Sequence, residues 1–490
     1  MPMIFLVSIK NITSKQKNVL ACPNGGVVFN IPQNTSVLTW YPYNFTNVVP
    51  LFPLNYECEY KINVPSGWYA QITLNVLNQD NTSSVVQVID QLQRVEKVWT
   101  ANYEYFFFIA SGGTIKLSTE ASRVQFGFYV TWKQYSVRTQ QAFNISKFSY
   151  NPLVFKGNGV YPSIMKADTK VSVTMMSPVH YLTEYLRGII FFDGPNWNGT
   201  SIGTGLQLLN SKTQYVSSGQ YMTILFLGYY SWYDYVRMLI QDYEHTKGIV
   251  QFQGMSCQYD WECPSIVLDA STGPSVLQSY TDYSSAYDEI MSLEGTGTLE
   301  VYLGSVTENK TNMVASYKAQ NNNVMRFPQE VLGKVKTYVL TEGNATIKIL
   351  PSRYNFAETK EFGRKGFIVS PNYGLLSNMQ SINGYIKSPN NSIANFRFYF
   401  VSANMDGGAQ IKIIGRQQNK NVFTKLYNSS NPPILNLFDD FYGTDLNVQY
   451  DAGSEPTTGF YMQFEVERGS SFKSGVLAIV CSVLLFHLFK

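Results

Sequence analysis

Charge is what this 490-residue chain has least of: Asp, Glu, Lys and Arg together make 14% of it, where soluble domains carry about 25%. The balance is only +3, and no long basic run occurs, which argues against a nucleic-acid partner. Histidine is scarcer still, at His180, His245 and His487. None of them sits in H-E-x-x-H, and no G-x-S-x-G occurs, so two common hydrolase signatures are missing. The five cysteines include no C-x-x-C pair, and no histidine lies beside them, which speaks against zinc. Stretches rich in Ala, Glu, Lys and Leu, the material of long helices, are absent as well.

What is abundant points to sheet. Aromatics reach 15%, and Tyr equals Gly at 35 residues each. That is far from the aromatic-poor, charge-rich composition of a disordered chain. Runs of Val, Ile, Thr, Tyr and Phe lie between clusters of Gly, Pro, Asn and Ser, the pattern of strands and turns. A chain of this length needs several cores, since single cores stop growing near roughly 250–300 residues.

Four strand-rich units can be traced. The first covers 22–135, the second 151–255, the third 257–355 and the fourth 365–468, with a poorly defined stretch at 1–21 and a greasy end at 469–490. In the first, Cys58, Tyr60, Ile62 and Val64 alternate with polar residues, as do Ala70, Ile72, Leu74 and Val76. Val124, Phe126, Phe128, Val130 and Trp132 also share one parity. Such period-2 patterning predicts half-buried antiparallel strands. Pro65-Ser66-Gly67 reads as a short hairpin turn joining the first two of them. VSVTMM, YLRGIIFFDG, YMTILFLG and YVRMLIQ are the strand-like segments of the second unit, TLEVYL and ATIKIL those of the third. SSAYDEIMS, in the third, is expected to form a helical turn. In the fourth, NFRFYF, QIKIIG, DLNVQY and GFYMQFEVE read as strands, the last with Phe460, Met462, Phe464 and Val466 on one face. Each unit suits a small β-sandwich of about 100 residues. QYSVRTQQ is the best candidate linker.

Features at the two ends and the surface suggest a secretory route. MPMIFLVSIK has a short apolar run, Met3 to Ile9, but no basic region or clear cleavage site, and reads as a truncated signal peptide. The end runs apolar from Val476 to Phe489, broken only by Ser482 and His487. As a helix it would rise about 21 Å, short of a hydrocarbon core of roughly 30 Å. Gly469-Ser470-Ser471, a polar spacer and this tail read instead as a GPI-attachment signal, with Gly469 and Ser470 as candidate lipid-attachment residues. A short membrane span is the alternative. Removal of the tail takes Cys481 with it and leaves four cysteines. Cys22 with Cys58, and Cys257 with Cys263, are then candidate disulfides; buried free thiols are the alternative. Acceptors for N-glycosylation occur at Asn11, Asn34, Asn44, Asn81, Asn144, Asn198, Asn309, Asn344, Asn390 and Asn428.

Two stretches carry a family resemblance. CPNGGVVFNIPQNTSVLTWYP followed by NYECEYKINVPSGWYAQITL, in the first unit, resembles the nematode-type CUB-like domain family. Gly366-Phe-Ile-Val-Ser-Pro-Asn-Tyr373 is similar to the opening of CUB domains, and LNVQYDAGSEPTTGFYMQFE to their closing strands around an exposed hairpin. FFDGPNWNGTSIGTG, in the second unit, is similar to the CUB segment in which a strand ends in Asp-Gly before a variable loop. The resemblance implies an all-β chain of tandem CUB-like jelly-roll sandwiches, secretion, a surface or raft location, a link to host defence and no catalytic activity or cofactor. It departs from the family in having two cysteines in the first unit where full CUB domains often have four. Calcium-binding CUB domains use one Glu and two Asp. Asp80 and Asp90, or Asp406, Asp439 and Asp451, lack the matching Glu, so no metal is expected.

Chemistry has few footholds. His180 or His245 would need an orienting carboxylate to act as a base, and neither sits in a motif. Asp439-Asp440 and Asp242 with Glu244 are paired carboxylates of the type glycosidases use, but equally of the type found on solvated loops. Tyr229, Tyr230, Trp232, Tyr233 and Tyr235 form an aromatic cluster suited to stacking on sugars or anchoring a protein, or to an edge strand with one face buried. The leading expectation is a non-enzymatic cell-surface protein recognising microbial glycans or other surface proteins, tied to the membrane by its C-terminal anchor. A surface glycosidase-like hydrolase and a structural coat glycoprotein are the alternatives.

Overall fold

A computed structural model describes residues 21–469, apart from 44, 46–48, 79–85, 121–122, 136–139, 158–161, 178–179, 229–235, 257–262, 282–286, 320–324, 353–355, 359–360, 372 and 375–380. Among the described residues the fold is all-β: six sheets, with a few short helical turns between them. Among the described residues no helix is long and apolar enough to cross a membrane.

The first unit is one seven-stranded sheet wrapped around an aromatic core. Its spine is a single strand, Glu57–Asn78, paired with Ala101–Ser118 on one side and Val124–Gln134 on the other. Pro65-Ser66-Gly67 therefore does not reverse the chain into a hairpin. Both halves of the strand stay antiparallel to Ala101–Ser118, with a register shift between Val64 and Tyr69. The three residues make a bend, and Gly67 takes the φ of 82° that an L side chain resists. Parity survives the bend: Tyr60, Ile62 and Val64, then Ala70, Ile72, Leu74 and Val76, are all buried. Tyr60 stacks on Phe126 at 5.3 Å and meets Phe128 edge-on at 5.6 Å. Cys22 and Cys58 form a disulfide, which ties the segment before the short strand Val27–Phe29 to the spine beside it.

The second and third units share a sheet. Eight strands of this nine-stranded sheet run without a break from Leu153–Lys156 to Met313–Lys318, and the ninth, Tyr215–Val216, pairs with Val171–Ser177 off that path. The join is Val171–Ser177 lying parallel to Gln251–Met255, which in turn lies parallel to Ser275–Tyr280. A five-stranded sheet closes the second unit and a four-stranded one the third. Within the latter, Tyr287–Gly295 is a strand, where SSAYDEIMS suggests a helical turn. It pairs on both edges, with Gln329–Leu332 and Gly343–Ser352, and this overrides its weak local preference.

The fourth unit is a sandwich of a five- and a four-stranded sheet around Phe396, Phe398, Phe400, Ile411, Ile413, Val448, Met462 and Val466. The inward face of Phe460–Arg468 is the one its parity predicts. The two closing strands do not form a hairpin, however. Asp445–Asp451 belongs to the five-stranded sheet and Phe460–Arg468 to the four-stranded one, so the connection between them crosses the sandwich.

The units are not beads on a flexible string. Tyr69, Phe107, Ile109 and Tyr135 of the first pack against Ile190, Phe192, Leu225 and Leu227 of the second. Each large side chain fully buried in such a seam contributes about 1.5–3 kcal/mol. At the polar margin of the seam Arg187 pairs with Glu96 at 2.6 Å and Glu104 at 2.8 Å, with its guanidinium 4.0 Å from the Phe106 ring centre. Further along, Gln207 of the helix Gly205–Ser211 closes a capping box with Thr204, accepts from Arg94 and donates to Asp90. The third and fourth units are joined in the same way, since Phe367, Val369 and Tyr461 sit in the core cluster of the third.

Candidate recognition cleft between the third and fourth units

A cleft of about 250 Å³ opens where the edge strand Met313–Lys318 of the third unit faces the outer surface of the fourth. Strand alternation builds one wall. Met462, Phe464 and Val466 point into the fourth sandwich, which turns Tyr461, Gln463 and Glu465 outward. The neighbouring strand Arg364–Val369 adds Lys365 and Gly366, and Ala394–Ala403 adds Tyr399. Gly366 stands at the start of the G-F-I-V-S-P-N-Y motif for a packing reason. A Cβ there would lie 2.5 Å from the Phe464 ring and 2.7 Å from Gln329 Oε1.

The polar groups of this wall form a directed chain. The Tyr399 hydroxyl donates to Gln463 Oε1 at 2.5 Å, Gln463 Nε2 donates to the Tyr461 oxygen at 2.8 Å, and the Tyr461 hydroxyl donates to the Val314 carbonyl at 2.8 Å. Burial pushes the Tyr461 phenol above its ordinary range, which keeps it protonated and able to donate. Lys365 and Glu465 pair at 2.8 Å along the rim. Phe438, 49% exposed, leans on Tyr399 with ring centres 4.7 Å apart, and the Arg397 guanidinium lies over the Phe438 ring, 4.6 Å from its centre. It ends an apolar loop in which Ile434, Leu435 and Leu437 are also exposed.

Behind the cleft lies a charged seam. Gln329 bonds the Phe367 backbone in both directions, donating at 3.0 Å and accepting at 3.2 Å, as a strand neighbour would. Arg364, buried in the fourth unit's first strand, donates to the Pro328 carbonyl. Glu330 faces Glu289 directly across an antiparallel pair. Burial and the Glu289 charge push its carboxyl up to about 8, against the pull of Arg364. Burial lowers Arg364 itself to about 10, which leaves it charged at neutral pH.

The residues singled out from sequence are scattered. The aromatic cluster Tyr229, Tyr230, Trp232, Tyr233 and Tyr235 lies outside the described residues, as do Asn11, Asn44, Asn81, Asp80, Cys257, Ser470 and the apolar tail. Cys263 is disulfide-bonded. Asn34, Asn144, Asn198, Asn309, Asn344 and Asn390 are exposed, while Asn428 is half-buried with its side chain bonded to the backbone of Ser430 and Asn431. Gly469 is half-buried at the end of the last strand.

The candidate acid–base residues are engaged elsewhere. His180 begins the 3-10 segment His180–Gly188. His245 is buried, with Nδ1 donating to the Val306 carbonyl at 3.0 Å, and among the described residues no carboxylate is bonded to it. Asp242 is buried and accepts from Thr169 and from the Glu244 backbone, as a cap does, while Glu244 is exposed. Asp439 binds Lys425 and Tyr427, and Asp440, the next residue, is exposed. Asp90 is held by Leu92, Arg94 and Gln207. Asp406 opens the 3-10 segment Asp406–Gly408 and Asp451 ends the strand Asp445–Asp451, and both are exposed. Among the described residues, no three His, Cys, Asp or Glu side chains converge as metal ligands.

The comparisons with known proteins follow this architecture. Residues 17–136 match the CUB-like domain family. Residues 144–227 and 244–352 match two families described only as domains of unknown function, DUF7592 and DUF7591. No curated protein matches the chain. Among solved structures, the CUB1-EGF-CUB2 domain of human MASP-1/3 is 9% identical, with 43% of this chain and 97% of that chain covered and a TM-score of 0.17. The corresponding CUB1-EGF-CUB2 domains of rat MASP-1 are 11% identical, covering 43% and 95%, with a TM-score of 0.16. At such scores these two carry no argument. The match over residues 17–136, set on a disulfide-bearing β-sheet unit, identifies the N-terminal unit of this chain as a CUB-like domain.

Proposed function

We propose that this is a non-enzymatic, extracellular recognition protein that binds proteins or glycans in host defence through the cleft between its third and fourth units. The observation that carries the reading is the cleft wall itself. Its side chains present aromatic faces and hydrogen-bonding groups already held in position, and no free carboxylate pair faces them among the described residues. A preformed concave surface with a few fixed polar groups is how proteins bind ligands at low ordering cost. The disulfide and the exposed sequons support an extracellular setting. Attachment through a lipid at Gly469 or Ser470 would hold the cleft at the outer face of the plasma membrane.

A glycan wedge tests the site. Ser316→Asn with Lys318→Thr creates an acceptor on the exposed cleft wall of the full chain. Fluorescent wild-type protein is expected to decorate some members of a panel of bacterial and host cells, and the wedged protein to lose that binding. Equal decoration by both, or none by either, overturns the reading. The tether is tested separately: phospholipase C is expected to release the protein from expressing cells, and retention would indicate a spanning segment.

A further inference from the structure

We infer that the ligand of this cleft is a saccharide, an inference that rests on the recognition role proposed above. A sugar ring has an apolar C–H face and a fringe of hydroxyls that both donate and accept. The cleft offers the complement. Phe438 stands half-exposed at the mouth, backed by Tyr399, as a platform for the apolar face. Gln463 has a second amide hydrogen beyond the one it gives Tyr461, the exposed Ser316 hydroxyl supplies a donor and an acceptor along the wall, and the Lys365–Glu465 pair adds one of each sign.

The alternative of an extended peptide is disfavoured by the same geometry. Met313–Lys318 is the edge of the nine-stranded sheet, where an added strand would need its free carbonyls. The Val314 carbonyl is already taken by Tyr461. The volume of about 250 Å³ admits a short, compact group and not a folded partner. The wall is also rigid, because Gln463 is held between two tyrosine hydroxyls and Gly366 has no space behind it.

The test uses the full chain on an array of neutral and acidic oligosaccharides, beside a phage-displayed library of random peptides. Wild type is expected to bind a subset of the sugars. Phe438→Ala and Gln463→Ala are expected to weaken that binding at least tenfold, and Phe438→Trp to retain it. Unfolding temperatures of the four proteins separate lost binding from lost folding. Equal sugar binding by wild type and both alanine variants overturns the inference. If wild type binds no sugar but selects peptides that Phe438→Ala fails to bind, the saccharide falls while the cleft stands. If it binds neither, both fall.

Discussion

The Tyr461 hydroxyl of the fourth unit donates to the Val314 carbonyl of the third, 147 residues away in sequence, at 2.8 Å. This one bond seals a sheet edge, fixes Gln463 in the cleft and joins two units. Tyr461→Phe keeps the ring and removes the donor. It leaves a buried carbonyl unpaired, at a cost of about 1–3 kcal/mol. Urea unfolding of the full chain is expected to show that loss with an unchanged slope. No change in midpoint would mean that the bond adds nothing to the seam.

Glu330 gives the same seam a pH dependence. Its carboxyl is raised to about 8 by burial and by Glu289, while in the unfolded chain it titrates near 4.5. Between those values the folded protein holds the extra proton, so stability falls as pH rises through the window. The contribution is complete below the unfolded value and lost above about 8. Glu289, Arg364 and Tyr317 are the ionisable neighbours in that cluster. Glu330→Gln mimics the protonated form. It is expected to be more stable than wild type by about 2 kcal/mol at pH 8.5, after discounting for solvent at this partly buried group, with the difference shrinking as pH falls toward 4.5. Parallel pH profiles for the two proteins would contradict this.

Arg187 is the matching anchor between the first two units. Burial alone would lower its pKa, but Glu96 and Glu104 outweigh that and hold it above the usual arginine value. Arg187→Ala strands those two carboxylates beside Glu184, whose own pKa is already raised by burial and by Glu104. The expected loss is about 2–4 kcal/mol at neutral pH. Thermal melts of the wild type and the variant at neutral pH should show it. Equal melting temperatures would mean that the ion pairs add nothing to the seam.

The Cys22–Cys58 disulfide closes a loop over a sequence separation of 36. Cys22→Ser with Cys58→Ser is expected to cost about 2–4 kcal/mol in the chain-entropy account. Non-reducing peptide mapping of secreted protein should find the pair oxidised. Reduced thiols in the folded protein would contradict the structure.

Strands and their inward faces were legible in the sequence because parity is local. Tyr60, Ile62 and Val64, or Phe460, Met462 and Val466, announce a buried face without knowledge of any partner. What joins the strands was not. Pro65-Ser66-Gly67 has the chemistry of a turn, and only the shared partner Ala101–Ser118 makes it a bend. Asp288 and Glu289 weaken the case for a strand until both edges of Tyr287–Gly295 find neighbours. The cleft stayed hidden for the same reason. Tyr461, Gln463 and Glu465 are simply the outward residues of a good strand, and nothing near them in sequence signals Val314. Their alternating polar and aromatic character was the available clue.

The most direct test of recognition at the cleft is site-directed photo-crosslinking on the full chain displayed by cells. One photoreactive side chain replaces Ser316 on the cleft wall, and another replaces Thr424, exposed on the separate edge strand Lys420–Tyr427. With bacteria or host cells that the protein decorates, adducts are expected from position 316 in large excess over 424. Equal yields, or adducts from 424 alone, would contradict the account.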